Sequence, residues 1–215
     1  MTAISQRAID LIIEAEIGSE DDYRIEYARP EWPGVDSGVT IGIGYDLGQQ
    51  DAATICADWG GRVPDDVLVR LAACAGVTGR AAIPVASGLH SVVIDWHQAL
   101  AVFMARDVTE YTALTIETFP GIETLGPDCL GALVSLVFNR GARLTDAPGD
   151  SRRREMRQIR DAIIGQHPDL VPDLLRSMKR LWVGQHADGL LRRRDAEADL
   201  FTDGLANLPA DAAVA

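Results

Sequence analysis

The chain is poor in the residues that build covalent or metal frameworks. Only three of its 215 residues are cysteine: Cys56, Cys74 and Cys129. An odd, sparse set is a poor disulfide framework. No histidine stands at a metal-ligand spacing from any of them, and their neighbours are mostly apolar, so all three read as core thiols. The four histidines, at 90, 97, 167 and 186, form no pattern such as H-E-x-x-H. Neither a metal nor an organic cofactor is expected. Nowhere do about 18 apolar residues run together, which excludes a membrane-spanning helix. Met1 to Arg7 leads straight into an amphipathic pattern with no basic segment followed by an apolar run, so no secretory leader is read and synthesis in the cytoplasm is expected. Basic residues are the scarcer charge, 20 against 32 acidic, for a net charge of −12. With aromatics at 6% and no stacking pattern among them, nucleic acid is not an expected partner.

What is present is enough apolar sequence, 47%, to bury a core without staples. The charge is unevenly spread. Arg140 to Arg194 holds 13 basic and 7 acidic residues, a net of +6, and the rest holds 7 and 25, a net of −18. Solvated helical faces account for this pattern, and so does an interaction surface facing an anionic polymer.

Periodicity and breakers predict one domain over residues 1–208, with an alanine-rich frayed tail over 209–215. A leading helix is expected over 4–17, and a small β element over about 22–46, rich in Gly, Pro, Tyr and Asp. A helical lobe follows over about 49–204, with helices near 50–58, 64–75, 94–118, 126–140, 152–164, 168–181 and 189–204. The fold class is α+β.

Two segments carry candidate chemistry. On the leading helix Ile9, Ile12, Ile13 and Glu16 share the i, i+3, i+4, i+7 spacing, and Glu16 lies about 20° from Ile9 on the wheel. A carboxyl on an apolar stripe is expected to be partly desolvated, and desolvation raises a carboxyl pKa, as a glycosidase general acid requires. A rim glutamate paired with arginine fits the same wheel. The second segment is Ser37-Gly38-Val39-Thr40-Ile41-Gly42-Ile43-Gly44-Tyr45-Asp46-Leu47-Gly48. Strand alternation puts Ile41, Ile43 and Tyr45 on one face and Thr40, Gly42, Gly44 and Asp46 on the other. The second face is a side-chain-free floor flanked by two polar groups, suited to a sugar chain. A straight strand would hold Thr40 and Asp46 roughly 20 Å apart, so joint service at one bond requires a turn near Gly44. A glycine-rich hairpin without chemistry fits as well.

These residues resemble the phage-type lysozymes. Glu16 on a first helix followed by Thr40-Ile41-Gly42-Ile43-Gly44 is similar to the family's acid and glycine strand. Trp96-His97-Gln98-Ala99-Leu100 to Asp107 looks like its mid-chain helix. Ala132 to Gly141, ending Phe138-Asn139-Arg140-Gly141, looks like its central buried helix. Gly189-Leu190-Leu191-Arg192-Arg193-Arg194-Asp195-Ala196-Glu197, with Trp182 upstream, is similar to its C-terminal signature. One feature sets the chain apart: its aspartate, in Tyr45-Asp46-Leu47-Gly48, follows the threonine. That order resembles the muramidase domain of pesticin-like toxins.

The resemblance implies a lysozyme-like fold, with the leading helix and β element packed against the helical lobe. It also implies hydrolysis of the β-1,4 bond between N-acetylmuramic acid and N-acetylglucosamine in peptidoglycan. Glu16 would be the acid and Asp46 its partner together with Thr40, with Asp36 as the other aspartate in reach. Tyr45, Asn139 and Arg193 would bind substrate or support the site, Arg193 by docking beside Glu16. Peptidoglycan glycan strands are the implied partner. Action at the wall follows release, injection or lysis, with a delivery or immunity partner. A lytic transglycosylase and a non-catalytic wall-binding or virion protein are the competing readings.

Overall fold

A computed structural model describes residues 3–208. The expected frayed tail, 209–215, lies outside the described residues. The protein is 65% helical with one small two-stranded antiparallel sheet, an α+β, mainly helical fold. Among the described residues no helix is long and apolar enough to cross a membrane. The chain divides into two compact units, a helical unit of Met1–Ala15 with Glu110–Ala215 and a hairpin unit of Glu16–Thr109.

Helix α1 spans Gln6–Glu16. The Ser5 hydroxyl accepts the Ala8 N–H at 3.2 Å and starts it. Ala8, Ile9 and Ile12 are its buried residues.

In the hairpin unit the start of the expected β element, about 22–46, is helical rather than strand or loop. Ser19 and Asp22 form a capping box for α2 (Glu20–Asp22), which continues as a π-helical turn over Tyr23–Tyr27. The Tyr23 hydroxyl, fully buried, donates to the Ile94 carbonyl at 3.0 Å and holds this segment in place. Strands β1 (Thr40–Ile41) and β2 (Tyr45–Asp46) follow. Helix α3 (Ala52–Trp59) is capped by Asp51, whose carboxylate accepts the Thr54 N–H at 2.7 Å. Helix α4 is Asp65–Ala72. Gly79–Gly88, where no helix is expected because Pro84 reads as a breaker, forms a 3₁₀ turn and then α5 (Ala82–Gly88). Pro84 sits in the first turn of α5, where its missing N–H costs nothing. Helix α6 (Trp96–Phe103) starts on a capping box of Asp95 and Gln98.

The expected helix 94–118 is interrupted. After α6 comes a π-helical turn over Met104–Val108, and only then α7 (Thr109–Thr118). Such insertions shift the helical phase by one residue.

In the helical unit α8 is Gly126–Arg140, with the range that periodicity predicts. Pro127 occupies its first turn and Gly141, at φ 71°, ends it. Residues Cys129 to Val137 are all buried, so this helix is apolar on every face and forms the centre of the unit. Helix α11 (Asp188–Ala206) packs along it, α10 (Val171–Ser177) packs on α11, and α9 (Arg154–Ile164) packs on α10. The expected helix 168–181 is α10 flanked by 3₁₀ turns. Arg7 of α1 pairs with Asp128 of α8 at 3.3 Å and Asp203 of α11 at 2.5 Å.

The cysteine expectation needs one correction. Cys74 and Cys129 are buried, but Cys56 is exposed. Ile55 and Trp59, at i and i+4, form the buried side of α3, and Cys56 is turned about 100° away from Ile55.

Candidate active site

The glycine segment is a hairpin rather than one straight strand. Gly42 and Gly44 adopt φ 58° and 75°, a region that costs other residues energy, and the chain reverses over Gly42–Gly44. In the resulting register Thr40 pairs with Asp46 and Ile41 with Tyr45. Directly paired residues project from the same face with Cβ atoms about 5 Å apart. The separation of roughly 20 Å across a straight strand is thereby removed.

A further residue joins this face. Glu31 and Thr40 exchange both backbone hydrogen bonds, Glu31 N–H to the Thr40 carbonyl at 3.0 Å and Thr40 N–H to the Glu31 carbonyl at 2.7 Å. Thr40 therefore stands between Glu31 and Asp46 on one pleated surface. Sequence reading passes over Glu31, because an isolated bridge nine residues upstream leaves no alternation to read.

Asp46 is held by main chain. Its Oδ1 accepts N–H bonds from Gly38 at 3.0 Å and Gly48 at 2.9 Å, and its Oδ2 shares the Gly38 donor at 3.0 Å. The approach is possible because Gly38 has no side chain. A Cβ there would lie 2.4 Å from Gly48 Cα and 2.5 Å from Asp46 Oδ1. The carboxylate is thus oriented by dipoles that do not neutralise it. The side chains of Thr40 and Asp46 are half-exposed, and Asp36 is exposed.

The side-chain-free floor expected at Gly42 and Gly44 is not formed. Gly42 is buried, with Trp59 and Ala99 at contact distance from where its Cβ would stand, and only Gly44 faces open space. The apolar face is as expected: Ile41, Ile43 and Tyr45 are all buried. Tyr45 packs edge-on to Trp59 and lies under the Arg106 guanidinium, 4.7 Å from the ring centre. Its hydroxyl donates to Asp58 at 2.7 Å, and Arg106 pairs with the same carboxylate at 3.1 Å. Burial, followed by the Asp58 bond, pushes the Tyr45 phenol well above its ordinary range. Tyr45 therefore supports the hairpin from beneath rather than meeting solvent. Asp58 and Arg106, which carry that support, have no motif in the sequence.

Glu16 closes α1 and is exposed, not desolvated as its wheel position suggests. The wheel gives the direction of a side chain but not the end of the helix.

Asn139 and Arg193 belong to the helical unit and meet in one network. Arg193 donates to the Ser135 hydroxyl at 3.1 Å and to the Ser135 carbonyl at 3.0 Å. The Ser135 hydroxyl donates to Glu197 at 2.7 Å, and Arg194 pairs with Glu197 at 2.7 Å while reaching Asn139 Oδ1 at 3.3 Å. Ser135, Arg193, Arg194 and Glu197 are all buried between α8 and α11. Burial pushes the Glu197 carboxyl up, against the pull of Arg194 and Arg193, and burial lowers Arg194. Among the described residues, no group of three or more His, Cys, Asp or Glu side chains could hold a metal ion. No protein-family model matches the chain, and no curated protein matches it.

Proposed function

We propose that this chain is a lysozyme-like peptidoglycan hydrolase of the muramidase type. The observation that supports it most is the hairpin register, which brings Thr40 opposite Asp46 on a half-exposed face. Glu16 protonates the leaving glycosidic oxygen, and Asp46 with Thr40 positions water against the oxocarbenium-like centre. A carboxylate already oriented by backbone N–H groups suits the stabilising role rather than the proton-donating one. The exposed Glu16 takes the acid role once substrate covers it and excludes water. Asn139 and Arg193 act as supports in the helical unit.

A second reading draws on the same Asp46 bonds. An aspartate already serving as a loop tie leaves one carboxyl for chemistry, and a lytic transglycosylase works with one. Mass spectrometry of muropeptides released from purified wall separates the two. Reducing N-acetylmuramic ends are expected. Anhydro ends would select the transglycosylase, and no release would leave a wall-binding protein on the same fold.

A further inference from the structure

The proposed hydrolase leaves the arginine-rich segment unused. Around the C-terminal end of α8 the helical unit forms an open surface cavity of about 390 Å³, lined in part by Arg140, Arg143, Arg152 and Arg153. Their neighbours in the same segment are charge-paired: Arg154 with Glu155 at 2.7 Å, Arg157 with Asp146 at 2.8 Å, and Arg160 with Asp161 at 3.3 Å. The four lining arginines have no carboxylate within 4.0 Å among the described residues. Three of them bond instead to neutral groups. Arg140 donates to the Arg152 carbonyl at 2.5 Å, Arg153 to the Arg140 carbonyl at 2.6 Å, and Arg143 to the Thr145 hydroxyl at 3.0 Å.

The two acids of the lining are already engaged. Asp146 accepts from Arg157 and from the Arg153 backbone N–H, and Asp150 accepts the backbone N–H groups of Ser151 and Arg152. Four arginines against two aspartates leave a net of +2. Arg140 is the most constrained of the four. Its guanidinium lies 5.0 Å from the Trp182 ring centre, and its Nε is buried without a partner. Burial, then the like charges of Arg153, Arg194 and Arg152, push it down to about 10, while Glu155 pulls upward. Crowded guanidinium groups that outnumber their counter-charges are stabilised by a bound anion.

We propose that this cavity is a binding site for a doubly charged phosphate group, carried by a phosphate monoester. A dianion with three acceptor oxygens matches the net charge of the lining, where one carboxylate would neutralise half of it. The site stands independently of the hydrolase reading.

Titration calorimetry on the full chain with inorganic pyrophosphate tests it. One saturable site is expected. It should weaken at least about tenfold, the scale of one charge-assisted hydrogen bond, in an Arg143→Gln/Arg152→Gln double variant. Both side chains are exposed, so folding should survive. Arg24→Gln, in the hairpin unit, should change nothing. Glycerol phosphate, a dianionic monoester, should bind in the same arginine-dependent way, and poly(glycerol phosphate), whose diester links carry one charge each, should bind more weakly per phosphate; the reverse order would overturn the proposal. The proposal is overturned by no saturable binding at millimolar pyrophosphate, or by binding that survives the double variant. Citrate binding as tightly would overturn it too, as would a single-stranded oligonucleotide that displaces pyrophosphate with higher affinity.

Discussion

Asp46 and Glu197 are both held firmly in this protein, and they are held by opposite means. Asp46, in the hairpin unit, is tied by the backbone N–H groups of Gly38 and Gly48 and is half-exposed. Glu197, in the helical unit, is wholly buried and tied by a guanidinium and a hydroxyl. Backbone dipoles orient a charge without neutralising it and leave it accessible to a ligand. Arginine partners neutralise the charge and join α8 to α11. Burial and a shifted pKa are common signatures of catalytic groups. Here they mark the structural carboxylate, and the chemistry is proposed for the less conspicuous one.

The largest expected effect tests the chemical side of that contrast. Glu16→Gln should lower wall-lysis rate by about 10²- to 10⁴-fold, up to roughly 5 kcal/mol of barrier. Glu16 is exposed at a helix end, so thermal unfolding should not move. Turbidity loss of a purified wall suspension measures the first and a melt the second. Near-normal lysis would remove Glu16 from the mechanism. Glu197→Gln should do the reverse. It leaves Arg194 buried beside a neutral group, at a cost of about 3–5 kcal/mol in stability. Denaturant unfolding should show that loss, while lysis by the remaining folded protein stays near normal. If instead the variant unfolds normally but fails to lyse, the roles assigned to the two carboxylates are exchanged.

The contrast was half legible in the sequence. Helix α8 could be read to the residue, because nine consecutive buried positions between Pro127 and Gly141 leave no ambiguity of period or end. The hairpin could not. Alternation assigns Ile41, Ile43 and Tyr45 to one face whether the chain runs straight or turns, and only positive φ at Gly42 and Gly44 decides. The π-helical turn at Met104–Val108 has no sequence signature, since one added residue does not disturb composition. The Ser19 and Asp22 capping box was present as Ser-x-x-Asp, but the short helix it starts carries no apolar stripe. Arg193, Arg194 and Glu197 stood out only through the resemblance. Their partner Ser135 was hidden inside an apolar helix.

A smaller effect ranks the acids around Thr40. Asp46→Asn should lower lysis about a hundredfold, because an amide oxygen can keep the Gly38 and Gly48 bonds to Oδ1 but cannot carry the charge. Folding should therefore survive, and the loss would belong to chemistry. Asp36→Asn and Glu31→Gln should each cost less than Asp46→Asn. A larger loss at Asp36 would move the aspartate role to the exposed loop. A larger loss at Glu31 would move it across the threonine.

The smallest perturbation is a label. Cys56 is exposed, whereas Cys74, in the hairpin unit, and Cys129, in the helical unit, are buried. Burial raises the Cys74 thiol, with Arg70 pulling the other way. Burial, then Asp128, pushes Cys129 up to about 12, so its thiolate is on the order of 10⁻⁴ of the total at pH 8. An aromatic disulfide reagent should therefore modify one thiol quickly and two slowly. The slow rates report opening of the structure around each thiol. Cys129 Sγ lies 3.4 Å from the Phe201 carbonyl, so it reads the α8–α11 contact that Glu197 helps to hold. In the Glu197→Gln variant, Cys129 should react faster by orders of magnitude while Cys74 keeps its rate. Equal acceleration of both would mean that the Glu197 network stabilises more than the helical unit. No acceleration of either would mean that the buried charges contribute nothing to holding α8 against α11, and the contrast with Asp46 would then lose its structural half.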